Sequence, residues 1–268
     1  MENLSELFFL ISLIAYFVST VFYIIYAIFK KNLAGSFATW TLAGGIVVQT
    51  IALILRTRES GHFPFITIYE TLVFWSWLIA IIYLILQFKL HIKAFGAIIT
   101  PLAFFAIAAA STVAPGKESG PLIPALQSHW LEFHISTSFI SYACFAISFG
   151  VGIAYLIKQR NNPEDSLSKD RLDMIGYKSI SVGFPFLTIG IVSGSIWANI
   201  AWGSYWSWDP KETWALVTWI IYAIYLHLRI FAKWRGKSSA ITSIIGFACV
   251  IFTFLGVNYL LSGLHSYS

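Results

Sequence analysis

Tryptophans are unevenly distributed in this chain: five of the eleven fall in one run, SIWANIAWGSYWSWDPKETW, between Trp197 and Trp214. Four aromatic residues stand close together at its centre: Trp202, Tyr205, Trp206 and Trp208. An aromatic belt at a membrane interface is one explanation, but a belt needs only one or two rings per helix end. The higher density indicates a surface for a flat, apolar ligand, because several rings can contact its faces and edges.

Charged residues follow this aromatic cluster directly, at Asp209, Lys211 and Glu212. The Asp209-Pro210 pair favours a turn, and the Asp209 carboxylate can cap free backbone N–H groups at the start of the next helix. The Lys211 ammonium can meet an anion. A capped helix start would account for Asp209 without any ligand.

Histidine is the second residue type that points to chemistry, because imidazole is a common metal and haem ligand. Of the six histidines, His134 begins one apolar segment and His265 follows the end of the last. Both fall at about the depth of the tryptophan run, so two imidazoles from different helices could bind one iron from opposite faces. The alternative is that each is an interfacial residue making hydrogen bonds.

His227 differs because it lies deep in an apolar segment, about 14 residues or roughly 21 Å from the segment's start at 1.5 Å per residue. An ionisable residue at such a depth predicts a functional role. Alternatively it bonds to a neighbouring helix, or it is interfacial and near Arg229. The other three histidines read first as loop or anchor residues: His62, His91 and His129.

Composition determines which elements position these residues. The 268 residues are 58% hydrophobic and 11% charged, with a mean hydropathy of +0.76, which predicts a polytopic membrane protein. So little polar sequence excludes a large extramembrane domain, a nucleic-acid-binding module and a disordered scaffold. Cys144 and Cys249 lie far apart in apolar runs, which excludes CxxC, CxxCH and zinc motifs. We expect two buried thiols.

Eight segments are long enough to cross the roughly 30 Å hydrocarbon core as helices. The predicted fold is therefore all-α, a single transmembrane domain over residues 1–268. The N-terminus, MENLSELFF, carries acids where a cleavable signal would carry lysines, so the first segment is expected to remain as a span. The segments are Leu7–Phe29, Phe37–Leu55, Thr71–Phe88, Ala94–Ala114, Phe133–Ile157, Ser179–Asn199, Thr213–Phe231 and Ala240–Leu261.

Basic residues predict the orientation. Of the 17 Lys and Arg residues, thirteen fall in one set of alternate loops and only Arg56, Arg58, Lys117 and Lys211 in the other. Because cytoplasmic loops carry the excess of positive charge, both termini are predicted to face outward. The tryptophan run, His134, His265 and the 56–70 segment then share the outer side, and the inner loops read as plain anchors.

Four separated motifs resemble those of a known family. WGSYWSWDPKETW is similar to the WWD signature of haem-handling proteins, and its DPKE ending resembles the CcsA (also ResC) branch, the membrane subunit of the System II cytochrome c biogenesis machinery. GHFPFITIYE is similar to that branch's GHxPxxNxYE segment, with Thr67 where asparagine is usual. WLEFHISTSFISYA is similar to WLxxHVxxxxxSYA, and GVNYLLSGLHSY also fits. The chain is thereby identified as a member of this family.

The resemblance implies a set of haem-binding residues. His134 and His265 would be the external axial ligands of the iron of haem b, and His227 a transmembrane haem ligand. The WWD segment, about residues 200–214 on the outer face, would hold the haem with Trp202, Trp206, Trp208 and Asp209. Lys211 or Arg56 would pair with a propionate, and His62 and Glu70 would be supporting residues.

The resemblance also implies an activity. The chain would move or pass haem to the outer face of the cell membrane (inner or plasma) or thylakoid membrane, as part of a holocytochrome c synthase (haem lyase) complex. There the haem would be joined to the CxxCH cysteines of apocytochrome c. A ResB/CcsB-type membrane subunit would supply the second transmembrane histidine, and a thioredoxin-like thiol reductant is a further expected partner. No residue is an evident acid or nucleophile, so catalysis would be mainly positioning.

Competing interpretations make different demands on the sequence. A b-type cytochrome electron-transfer subunit would pair histidines deep in the bundle, whereas only His227 is deep here. A secondary transporter would carry broken helices and polar residues near the midplane, but polar residues concentrate at the predicted outer face. A System I haem exporter-like protein is a further possibility, against which the DPKE ending and the eight spans favour System II.

Overall fold

The structure, a computed structural model, describes residues 2–113, 126–161, 164 and 166–261. Its α-helices run α1 Glu2–Phe29, α2 Asn32–Ser60, α3 Ile68–Leu90, α4 Gly96–Val113, α5 His129–Asn161, α6 Ser166–Trp202, α7 Pro210–Phe231, α8 Lys237–Ile251 and α9 Val257–Leu260. A 3-10 turn, Lys93–Phe95, precedes α4, and a π-helical segment, Phe252–Gly256, joins α8 to α9.

The all-α prediction with eight spans is confirmed. Within the described residues, eight helical stretches are long and apolar enough to cross a membrane. Several are longer than the apolar segments predict, since α5 and α6 continue into polar sequence at Asn161 and Ser166. The outward orientation of the termini stays a prediction.

The chain forms two compact units, Met1–Ile123 and Pro124–Ser268. In the first unit α1 packs against α2 and α4, and α3 packs against α2 and α4. Polar side chains inside it satisfy one another: Gln87 accepts hydrogen bonds from Tyr23 (2.6 Å) and Tyr83 (2.8 Å) and donates one to Thr39 (2.9 Å). Such pairing is required because hydrocarbon offers no alternative partner. Whether the whole chain acts as one functional domain stays a prediction.

In the second unit, α5 packs along α6 and also contacts α8, while α7 packs against α6 and α8. Small residues allow close approach: a Cβ added to Gly183 would lie 2.9 Å from Cys144 and Phe145, and one added to Gly190 would lie 2.5 Å from the Ser138 hydroxyl. Close packing of this kind drives helix association in a membrane, where the hydrophobic effect cannot.

A buried ion pair joins α6 to the C-terminal end of α7. Arg229 on α7 contacts Asp173 on α6 (Nη2 to Oδ2, 2.6 Å), and both side chains are almost fully buried. Arg229 also donates to the Trp234 carbonyl (2.9 Å), and the Gly236 amide donates to Asp173 (2.8 Å). Arg229 is one of the thirteen basic residues assigned to the inner loops, which were predicted to be plain anchors. The structure shows instead that it links α6, α7 and the turn before α8.

The π-helical segment widens one turn of the last span. The amide of Val257 donates to the Phe252 carbonyl, five residues back, instead of the usual four. Thr253 within it bonds to Thr218 (3.0 Å) and to the Trp214 carbonyl (3.2 Å), both on α7. The segment thus joins the last span to α7.

Candidate functional site

His134 lies on α5, in the second turn of the helix, against α6. Its Nδ1 atom is 2.6 Å from the carbonyl oxygen of Gly190. A carbonyl oxygen only accepts, so Nδ1 carries the proton and donates, and Nε2 carries the lone pair. That is the tautomer in which Nε2 can coordinate a metal.

Trp197, the first tryptophan of the tryptophan run, contacts this imidazole. Its ring lies nearly parallel to that of His134, with centroids 6.4 Å apart and planes at 15°. On its other side it meets Trp202 edge-on, at 4.8 Å and 72°. Trp197 is only 2% exposed, whereas Trp202 is partly exposed at the end of α6. His134 therefore contacts the tryptophan run through a buried indole.

Trp206 and Trp208 form a second aromatic pair in the turn between α6 and α7. Their rings meet edge-on at 5.7 Å, and Trp208 is 69% exposed. The backbone of Trp208 has φ +59°, a left-handed conformation that costs a non-glycine residue about 1–3 kcal/mol. The turn therefore exposes a large apolar ring from a backbone conformation that costs free energy.

The start of α7 fixes this turn. Asp209 caps the helix by accepting from the Lys211 amide (2.9 Å), as predicted. Glu212 completes a capping box: one carboxylate oxygen accepts from the Asp209 amide (3.2 Å) and from the Ser207 amide (2.8 Å). The carboxylates of Asp209 and Glu212 thus accept hydrogen bonds from backbone amides on either side of Trp208. These bonds indicate a structural role for Asp209.

Lys211, predicted to meet an anion, donates to the Asn258 side chain of α9 at 3.0 Å. Asn258 also donates to the Phe254 carbonyl (2.8 Å) in the π-helical segment. This bond ties the tryptophan-containing turn to the end of the last span.

Of the three predicted histidine ligands, the structure describes His134 and His227. His265 lies outside the described residues. His227 is on α7, one turn before its end at Phe231, where its ring contacts that of Phe231 at 4.7 Å. The imidazole is exposed, and Ile220, Ile224 and Phe231 form an exposed apolar stripe with it along one helix face.

The 56–70 segment is a cap in the first unit. Thr67 accepts from the Glu70 amide (3.1 Å), and Glu70 accepts from the amides of Ile66 (3.0 Å) and Thr67 (3.2 Å) and from Arg56 (2.9 Å). Thr67 therefore caps α3 at the position where the family pattern has asparagine, which is also a good capping residue. His62 Nδ1 lies 2.9 Å from the Phe63 carbonyl, so both supporting residues have local structural contacts.

Sequence reasoning missed the α6 residues that surround His134. Gly190, Gly194 and Trp197 are spaced by four and three positions, which places them on one helix face. The sequence shows that these three residues share a helix face, but it does not show which helix packs against that face. Asn258 was missed as an anchor of the turn for the same reason, because its bond to Lys211 depends on the fold. Glu212 was also missed, although its spacing of three residues from Asp209 is the sequence signal of a capping box.

The fold and these contacts define a multi-pass helical membrane protein in which a histidine packs on a buried tryptophan of the tryptophan run. A sequence model of the family "Cytochrome C assembly protein" matches residues 65–265, which is more than half of the chain. The chain belongs to this family, and the resemblance found in its motifs is confirmed.

Individual relatives agree. The chain is 45% identical over 230 residues to the cytochrome c biogenesis protein CcsA of Chlamydomonas reinhardtii, a match that covers 82% of this chain and 65% of that protein. It is 37% identical over 293 residues to CcsA of Guillardia theta, covering 99% and 95%. Among solved structures, cytochrome c heme lyase CcmF shares the fold with a TM-score of 0.73 at 16% identity, over 95% of this chain and 46% of that one.

Proposed function

We propose that this chain is a haem-presenting subunit of a System II cytochrome c synthase. It receives haem b in the membrane and holds it at the outer face, on the WWD surface, with the iron between His134 and His265. Apocytochrome c then approaches with its CxxCH cysteines, kept reduced by a thioredoxin-like protein. Membership of the family and the similarity to cytochrome c biogenesis proteins support the process, and the residues of the second unit support the assignment of the site.

The observation that carries the proposal is the contact of His134 with α6. Its Nδ1–H donates a hydrogen bond to the Gly190 carbonyl, so Nε2 is the nitrogen that would coordinate a metal, and the bond helps to fix the ring plane. The same ring contacts the tryptophan run through Trp197. A nitrogen ligand linked through the buried Trp197 to Trp202 fits the two chemical parts of haem, its iron and its flat apolar ring.

Binding and positioning account for the activity that we assign to this chain. The Asp209 and Glu212 carboxylates are occupied by backbone amides, so neither is proposed as an acid or a base. The side chains would hold one face of the haem against the indoles and leave the vinyl edge open to the incoming cysteines. Ligation by two histidines keeps dioxygen off the iron.

The exposed stripe on α7 supports a partner subunit in the membrane. An imidazole exposed to lipid is costly, and the stripe of Ile220, Ile224, His227 and Phe231 is long enough to receive one helix. We propose that a ResB/CcsB-type subunit covers it and supplies a second histidine, so that His227 and its counterpart bind haem before it passes outward.

The test is the absorption spectrum of this chain, purified in mild detergent with its partner subunit. A low-spin haem spectrum is expected in the parent, and it should weaken or turn high-spin in His134→Ala and in His265→Ala. His129→Ala is the matched control, because His129 lies on the same helix and is fully exposed beside Glu132. Ligand variants that match the parent would contradict the ligand assignment and reopen the b-type cytochrome interpretation. A parent without haem would contradict the proposal and reopen the transporter interpretation.

Removal of both rings in the turn is expected to lower haem content. Trp206→Ala with Trp208→Ala deletes the edge-on pair while the Asp209 cap and the His134 contact remain. The haem-to-protein ratio, measured by pyridine haemochrome assay, should fall about tenfold or more, because each stacked ring is worth roughly 1 kcal/mol. The exposed Trp40 of the first unit provides the control, Trp40→Ala. Unchanged haem content in the double variant would return both rings to an interfacial belt.

A further inference from the structure

We infer that one face of α6, formed by Gly190, Gly194 and Trp197, is a seat that positions the His134 imidazole and selects its tautomer. The inference rests on the proposed function, because it concerns how the ligand is prepared for haem. These three residues contact the histidine and not the haem, so they are positioning residues.

Gly190 contributes an acceptor. Its carbonyl oxygen accepts a hydrogen bond from the His134 Nδ1–H at 2.6 Å, and the two residues are 56 positions apart in the chain. The Ser193 hydroxyl donates to the same oxygen at 3.1 Å. A backbone acceptor cannot be lost by side-chain substitution and cannot rotate away, and it makes the metal-binding nitrogen Nε2.

Gly194 contributes space. A Cβ at this position would lie 2.5 Å from Nδ1 and 2.6 Å from Cε1 of the imidazole, closer than any real Cβ contact. The ring therefore occupies the volume that a side chain at residue 194 would fill. Alanine would favour the helix over glycine by about 1 kcal/mol, so helix stability does not explain a glycine here.

Trp197 contributes an aromatic surface. Its indole is 2% exposed and lies nearly parallel to the imidazole, at 15°. The imidazole is thus bounded by a hydrogen bond at one edge, by the backbone of Gly194 and by an aromatic plane. All three contacts come from a single helix, so the ring has its ligating orientation before haem arrives.

Gly194→Ala tests the seat, with Gly176→Ala as its matched control. Gly176 lies on the same helix and also packs on α5, but a Cβ there would meet Ser148 and Val151 at 3.6 and 3.7 Å, ordinary contact distances. Haemin added to the apoprotein is expected to bind Gly194→Ala about 10–100-fold more weakly than the parent, the usual cost of losing an outer-shell partner. Gly176→Ala should bind as the parent does.

A second measurement needs no haem, and its decisive result comes from the parent protein. In apoprotein with 15N-labelled histidine, the ring-nitrogen signals assigned to His134 by their loss in His134→Ala report which nitrogen is protonated. The parent is expected to show the proton on Nδ1, and Gly194→Ala a mixture of tautomers. A parent with the proton on Nε2 would overturn the inference.

The two proposals fail differently. If the parent does not bind haemin through His134, the proposed function fails, and the tautomer measurement still decides the seat. If the parent binds haemin and Gly194→Ala matches it in affinity and in tautomer, the seat is wrong and the ligand assignment stands.

Discussion

Cells whose only copy carries His134→Ala are expected to accumulate no mature cytochrome c, although the variant protein is inserted at the parent level. The alanine removes the proposed ligand beside the tryptophan run, while the α5–α6 packing through Gly183 and Gly190 is untouched. Haem staining of membrane proteins measures covalent haem, and immunodetection of a tagged chain measures insertion. The effect should be near complete, because one absent ligand leaves the iron open to other ligands.

His265→Ala is expected to give the same result, and His129→Ala to mature cytochrome c normally. The comparison of His134→Ala with His129→Ala is the most informative, because the two histidines are little more than one turn apart on α5. Of the two, His134 contacts Gly190. Full maturation in His134→Ala would remove this residue from the site. Loss in all three variants would indicate a general defect in the fold.

Arg229→Met is expected to have the largest effect on stability. It leaves the Asp173 carboxylate buried without its cation and removes the donor to the Trp234 carbonyl. Breaking a buried pair from one side costs about 3–5 kcal/mol, more than replacing both members. Unfolding of the purified protein by heat or by SDS in mixed micelles measures the loss.

The double variant Asp173→Asn with Arg229→Met should recover part of that loss. Asparagine keeps an oxygen for the Gly236 amide and removes the unpaired charge. Arg235→Met is the control, because Arg235 is exposed in the same turn. A double variant as unstable as Arg229→Met alone would show that the charge pair is not what makes Arg229 important.

The pattern of apolar residues was sufficient for the fold class. A segment that must cross hydrocarbon reveals itself by length and composition alone, and each of the eight predicted segments overlaps one of the eight helical stretches in the described residues that can span a membrane. The ends of α5 and α6 were not predictable in the same way, since their polar turns are held by neighbouring contacts. Arg229 was misread for a related reason: a basic residue near the end of a span is usually interfacial, and its partner Asp173 is distant in sequence.

Part of the candidate site could also be predicted. The Asp209 cap is a local feature, and it was identified from residue type and spacing. The relation of His134 to the tryptophan run was expected only as a similar depth, because the intervening Trp197 and the Gly190 acceptor require the pairing of α5 with α6. Lys211 was expected to be available to an anion, and its bond to Asn258 depends on the last span.

The π-helical turn in the last span has a consequence for tolerance to change. It holds one more residue than an α-helical turn would, so the residues of α9 are rotated by about 100° from where a regular helix would put them. That rotation is what aims Asn258 at Lys211. The contact between Lys211 of α7 and Asn258 of α9 therefore depends on the number of residues in the π-helical turn as well as on their types. A single deletion between Phe252 and Gly256 would rotate Asn258 away from Lys211, although both side chains would still be present.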